Sequence, residues 1–180
     1  MNQPQKVSQG IGNNPAGNYE RFFVPHIGAP VAEDLIAQAN LQPGERVLDV
    51  ACGTGVVTRL AAERVGNTGS ATGLDIHPGM LAVAAAATPS GMTIDWRQGD
   101  AESLPFGDGE FDVVLCQMGL QFPSGKLAAL RDAPRPQVRR AGLGQCPRAQ
   151  AATVRNPDRR PRQPLRPAGS RFRRPRLLHA

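Results

Sequence analysis

Val47-Leu48-Asp49-Val50-Ala51-Cys52-Gly53-Thr54-Gly55 reads as an apolar strand running into an acidic, glycine-rich turn, the sequence form of a nucleoside-binding elbow. Val47, Leu48 and Val50 suit a strand buried on both faces. Gly53 and Gly55 permit backbone angles and a close ligand approach that a Cβ would obstruct. The next stretch, Val56 to Val65, reads as a helix. Val56, Val57, Leu60, Ala61 and Val65 fall near helical spacing, and Arg59, Glu63 and Arg64 are left for a wetter face.

A glycine turn by itself is common in α/β proteins as a plain tight turn, and the acid downstream makes this one more specific. Ala71-Thr72-Gly73-Leu74-Asp75 reads as a second strand, and its terminal carboxylate lies twenty positions after Gly55. That is about the offset at which an acid hydrogen-bonds a ribose diol. Pro78 then suits the first turn of another helix. A dinucleotide-binding dehydrogenase would need a third glycine where this chain has Thr58, so the pyrophosphate fingerprint is incomplete.

With these residues the chain resembles the class I S-adenosylmethionine-dependent methyltransferases, particularly the branch of the ubiquinone and menaquinone C-methyltransferases and many small-molecule methyltransferases. The resemblance covers roughly residues 19–131. Four segments match in order: Val47 to Gly55, Gly73 to Leu81, Gly99-Asp100-Ala101-Glu102-Ser103-Leu104-Pro105-Phe106, and Phe111-Asp112-Val113-Val114-Leu115-Cys116-Gln117. Ala51 stands where the family often has glycine. The resemblance implies an α/β, Rossmann-like sheet with helices on both faces, S-adenosyl-L-methionine as cofactor and a small-molecule methyl acceptor.

Residue by residue, the resemblance assigns Asp49 to the turn and the methionine amino end, and the backbone of Ala51, Gly53 and Gly55 to cofactor approach. Asp75 would hold the ribose hydroxyls and Ile76 would pack on adenine. Asp100 and Ala101 would sit at the adenine edge, where a carboxylate can accept from the exocyclic amine; a solvated turn acid is the other reading of Asp100. Gln117, at the carboxyl end of the fourth strand, would lie near the methionine moiety. Asn18-Tyr19-Glu20-Arg21-Phe22-Phe23-Val24-Pro25 would cap the site, with simple packing of Phe22 and Phe23 as the alternative. Pro30 to Asn40 reads as a helix with Val31, Leu35 and Ile36 on one side. Methyl transfer from a sulfonium needs alignment and water exclusion more than covalent help. No general base stands out: His26 and His77 are the candidates, and each also reads as an ordinary packing, loop or surface residue.

Composition divides the chain in two. Residues 1–130 hold 7 Lys plus Arg against 13 Asp plus Glu, a net of −6, whereas residues 131–180 hold 14 Arg and 2 Asp, a net of +12. The second part contains 8 of the 17 prolines and no Lys, Glu, Ile, Met, Tyr or Trp. A basic arm with non-specific affinity for polyanions fits that composition, and nucleic-acid binding through it is an alternative function, as is a non-catalytic cofactor-binding fragment. A shift of reading frame near residue 131 accounts for the same facts. Pro134 to Ala141, written with CGN arginine codons and displaced by one base, permits RVLKSGGR, close to the helix end and turn with which the family continues, RVLxPGGR. The expected organisation is a flexible amino terminus over 1–18, a partial methyltransferase domain over 19–131 truncated after its fourth strand, and a disordered Arg/Pro-rich tail over 132–180, with transient helical pieces in Ala141 to Arg155.

Cys52, Cys116 and Cys146 form no CxxC pair, which argues against a disulfide framework or a zinc site and for a reducing cytoplasm; no metal is expected. The polar start lacks the apolar core of a signal peptide, and no stretch is long enough for a membrane helix.

Overall fold

A computed structural model of the 180-residue chain describes residues 14–107, 109–119 and 151–155. The elements in order are α1 (Pro15–Asn18), a π-helix (Tyr19–Gly28), α2 (Ala29–Ala39), β1 (Arg46–Val50), α3 (Val56–Val65), β2 (Ser70–Asp75), α4 (Pro78–Ala86), β3 (Asp95–Gln98), β4 (Val113–Gln117) and β5 (Ala151–Arg155). The strands form one sheet in the order β3-β2-β1-β4-β5. The first four are parallel, with Leu48 of β1 between Thr72 of β2 and Val114 of β4. This is the Rossmann-like arrangement the glycine turn implies.

Strand alternation assigns two cores. Val47, Val113 and Leu115 face α2 and α3, where Leu35, Ile36, Ala61 and Val65 are buried against them. Leu48, Val50, Leu74, Val114 and Cys116 face the other way and pack with Phe111, Ala101, Leu104 and Phe106. Helices on both faces were expected; among the described residues the second face is covered by this stretch of irregular chain. Trp96 of β3 lies where a Cβ on Gly55 or Gly73 would have to be, so both glycines are needed for close packing beside the turn. At the amino ends of β1 and β4, Asp112 Oδ2 accepts the Arg46 N–H at 2.8 Å, and Arg46 Nη2 donates to the Gly109 carbonyl at 2.6 Å.

Two boundaries differ from the sequence reading. Helical structure begins at Pro15, because the Asn14 side chain accepts the Gly17 N–H at 2.9 Å and proline presets the first helical angle. The sheet also does not end at its fourth strand. Ala151–Arg155 pairs antiparallel with β4, from Val113 opposite Arg155 to Gln117 opposite Ala151. Ala151-Ala152-Thr153-Val154 is a proline-free stretch between Pro147 and Pro157 with two β-branched residues, and the edge of β4 otherwise offers unpaired backbone groups. The helical reading of Ala141 to Arg155 is thus corrected over 151–155. The remaining expectations for 1–13, 120–150 and 156–180 fall outside the described residues.

Candidate functional site

Strand order reverses between β1 and β4, since β2 and β3 lie on one side of β1 and β4 on the other. Ligands of open α/β sheets bind at the carboxyl ends of the strands beside such a switch point. Backbone strain collects there. Ala51, after β1, and Met118, after β4, are non-glycine residues with φ of 56°, in the left-handed region. Gly53 and Gly55 share that region, and a Cβ on Gly119 would run into Ala51 and Cys116. The turn is held from behind by the Cys52 N–H donating to the Leu74 carbonyl at 3.0 Å.

The two acids of the turn have different surroundings. Asp49 is 1% exposed, and its Oδ2 accepts from Thr58 Oγ1 at 2.6 Å. Burial pushes its carboxyl up to about 7, the Thr58 hydrogen bond opposes that shift, and the Asp75 charge adds to it. Asp75, at the end of β2, accepts the Gly53 N–H through Oδ2 at 2.8 Å and the His77 N–H through Oδ1 at 2.9 Å. It therefore ties the glycine turn to the loop after β2, and each oxygen retains accepting capacity. Ile76 beside it is 52% exposed, an apolar surface next to a carboxylate.

Asp100 is exposed, and its Oδ1 accepts the Glu102 N–H at 2.8 Å, an Asx turn that leaves its second oxygen outward. Ala101 packs its side chain into the second core. Gln117 Nε2 donates to the Gly28 carbonyl at 3.1 Å, so the end of β4 holds the end of the π-helix. His26 and His77 are both exposed. Burial pushes the Cys52 thiol up, with the charges of Asp49 and Asp75 adding to the effect, which keeps it protonated and unreactive. Among the described residues, no group of three or more His, Cys, Asp or Glu could hold a metal, and no helix is long and apolar enough to cross a membrane.

The amino-terminal segment crosses this region as a ten-residue π-helix with Pro25 inside it. π-helical turns are rare and are frequently found at functional sites. The Tyr19 ring lies against Gly53 and stacks on Phe23, with centroids 4.7 Å apart. The Tyr19 phenol is pushed up by burial first, then by the charges of Glu20 and Asp75. Arg59, near the start of α3, clamps the segment down: Nη2 donates to Glu20 Oε1 at 2.8 Å and Nη1 to the Thr54 carbonyl at 2.6 Å. Glu20, Arg59 and Thr58 were not singled out as site residues from the sequence. Thr58 left a clue, being a polar residue among the buried positions 57, 58, 61 and 65 of α3. The Glu20–Arg59 pair spans 39 positions and left none.

A groove of about 800 Å³ lies elsewhere, lined by Glu63, Asn67, Ser90 and Asp95. It sits at the amino ends of β2 and β3, away from the strained turn.

Comparison with known proteins agrees with the geometry. Residues 47–136 match the family described as a methyltransferase domain. The chain is 45% identical over 101 residues to the ubiquinone/menaquinone biosynthesis C-methyltransferase of Xanthomonas campestris, covering 54% of this chain and 40% of that protein. It is 40% identical over 98 residues to the demethylmenaquinone methyltransferase of Staphylococcus epidermidis, covering 54% and 41%. Among solved structures it resembles the YcgJ protein of Bacillus subtilis, with a TM-score of 0.51 and 28% identity, over 57% of this chain and 43% of that one. The chain thus spans about 40% of the length of the curated relatives it matches.

Proposed function

This chain belongs to the class I S-adenosylmethionine-dependent methyltransferase family, and we propose that it binds S-adenosylmethionine across the carboxyl ends of β1 and β2 and transfers the methyl group to a small-molecule acceptor. The observation that carries the proposal is the Asp75 carboxylate, fixed by two backbone N–H groups at the rim of the glycine turn, with Ile76 exposed beside it. A fixed acceptor pair next to an apolar platform suits a ribose diol and its base. Asp100 and Ala101 follow β3 and would meet the far edge of adenine, and Gln117 would approach the methionine end. The sulfonium supplies an activated methyl group, and the protein's part is to align donor and acceptor and to exclude water. The Tyr19 ring over Gly53 supports that second role. The relatives are named for ubiquinone, menaquinone and demethylmenaquinone, and on that ground we assign the acceptor to the quinol-type aromatic rings.

The alternative, cofactor binding without turnover, predicts the same binding but no methyl transfer. One pair of measurements tests both. Calorimetric titration should show binding of S-adenosylmethionine but not of NAD, and Asp75→Asn should weaken it by about 1.5 to 3 kcal/mol, the range for a hydrogen bond to a charged group. Unchanged affinity in that variant would take Asp75 out of the site. Transfer of labelled methyl to a naphthoquinol then separates an enzyme from a binding protein.

A further inference from the structure

Pairing with β4 moves the open edge of the sheet outward without closing it. In the order β3-β2-β1-β4-β5 the last strand, Ala151–Arg155, gives β4 one side of its backbone, and among the described residues no strand pairs with its other side. Successive residues of an antiparallel strand turn their N–H and C=O groups to alternate edges, so the outer side of β5 has groups left to pair. Open edges invite another strand. The opposite edge, β3, is guarded by the exposed charges of Asp95 and Arg97, whereas Ala151 to Val154 carry none.

The chain that follows β5 is a poor partner, because Pro157, Pro161, Pro164, Pro167 and Pro175 interrupt it and proline cannot donate to a ladder. A proline-free strand that is already extended exists in β5 of a second copy. Charge selects the direction of pairing. In a parallel pair Arg155 would stand beside Arg155 and the two arginine-rich stretches after it would leave together. In an antiparallel pair Arg155 stands opposite Ala151, Ala152 opposite Val154, and Thr153 opposite itself. The two basic stretches then start about 14 Å apart, four residue steps of about 3.4 Å. That exceeds the Debye length of about 8 Å at physiological salt.

We propose that two copies of this chain join β5 to β5, antiparallel about a two-fold axis at Thr153, so that their sheets run on as one. The contact is short for a protein interface, which makes the dimer weak and dependent on concentration.

Sedimentation equilibrium of the full 180-residue chain reads the mass directly. Raising the concentration should move it from 19.1 kDa toward twice that value and no further, because a two-fold contact closes on itself. At about 0.01 M salt charges act over about 30 Å, so the basic stretches repel each other and the dimer should weaken about tenfold. Cysteines placed in a Cys146→Ser background read the geometry, Cys52 and Cys116 being buried. Thr153→Cys sets a thiol opposite its own copy with Cα atoms about 4.5 to 5.5 Å apart, and mild oxidation should give a covalent dimer. Arg155→Cys sets the two thiols about 14 Å apart and should give none. If Thr153→Cys fails to fold, a mixture of Ala152→Cys and Val154→Cys chains gives the same readout from a facing pair. A chain that stays monomeric at every concentration, grows past a dimer or associates less as salt is added overturns the inference. So does crosslinking at 155 as readily as at 153, or a dimer whose facing cysteines do not crosslink, since the copies then meet elsewhere.

Discussion

Asp49 offers a quantitative test of how the turn is built. Its carboxyl stands at about 7 against an ordinary value of 3.8, with burial as the leading cause. A displacement of about three pH units at roughly 1.36 kcal/mol each corresponds to about 4 kcal/mol. The sign follows from proton counting. Below about pH 4 the side chain is neutral in the folded and unfolded states, and the folded state bears no ionisation cost. Between pH 4 and 7 the unfolded chain has released the proton that the folded chain still holds, so stability falls as pH rises. Above pH 7 the loss is complete. Asn at this position keeps an oxygen for Thr58 and cannot ionise. The unfolding free energy of the native chain minus that of Asp49→Asn should therefore drop by up to about 4 kcal/mol between pH 4 and pH 7.5, measured by urea titration at each pH. Groups remote from Asp49 titrate equally in both proteins and cancel in the difference. Thr58→Val removes the side-chain hydrogen bond that favours the ionised form and keeps the backbone one, so it should destabilise more at pH 7.5 than at pH 4. A native-minus-Asn difference that does not change with pH would refute the buried, proton-holding Asp49.

The left-handed backbone at Ala51 makes Ala51→Gly a stabilising change: relief of about 1 to 2 kcal/mol of steric cost exceeds the roughly 0.5 to 1 kcal/mol of added chain entropy. Thermal unfolding should show the gain, and a loss would mean that the contact with Gly119 matters more than the strain. If the reading frame is displaced near residue 131, restoring it should raise both the unfolding temperature and its shift on adding S-adenosylmethionine, because a ligand that binds only the folded state stabilises it by mass action. If the present chain already shows the full shift and the corrected chain gains nothing, the tail is a genuine appendage.

What the sequence disclosed divides along physical lines. The β1 turn, Asp75 and the helix after Gly55 were legible because each rests on short-range rules: β-formers, glycines at tight angles, and an acid at a fixed offset. The left-handed angle at Ala51 was not, because alanine carries no conformational signal and its φ is set by β1, β4 and Gly119 together. The π-helix was legible only as a capping segment. Pro25 disturbs the helical ladder, but whether the chain kinks, breaks or widens depends on what it packs against, here Gly53 at one end and Gln117 at the other. Glu20 and Arg59 meet across that packing, and no local pattern joins residues so far apart.

The fifth strand shows the same principle from the opposite side. β4, with Val113, Val114 and Leu115 buried, would leave an exposed ladder edge if nothing followed it, and a tail rich in arginine and proline is a poor cover for such an edge. The first half of that argument holds, and it limits the second. An open edge recruits whatever nearby chain can pair, so the proline-free run at 151–155 is selected by the edge more than by its own propensity. It pairs antiparallel, whereas β1 to β4 are parallel, and it comes from the part of the chain whose composition departs from the rest. Edge pairing alone demands only backbone groups in register. A parallel strand at this position would need a crossover connection of its own, and that is the element a frame-restored chain should supply.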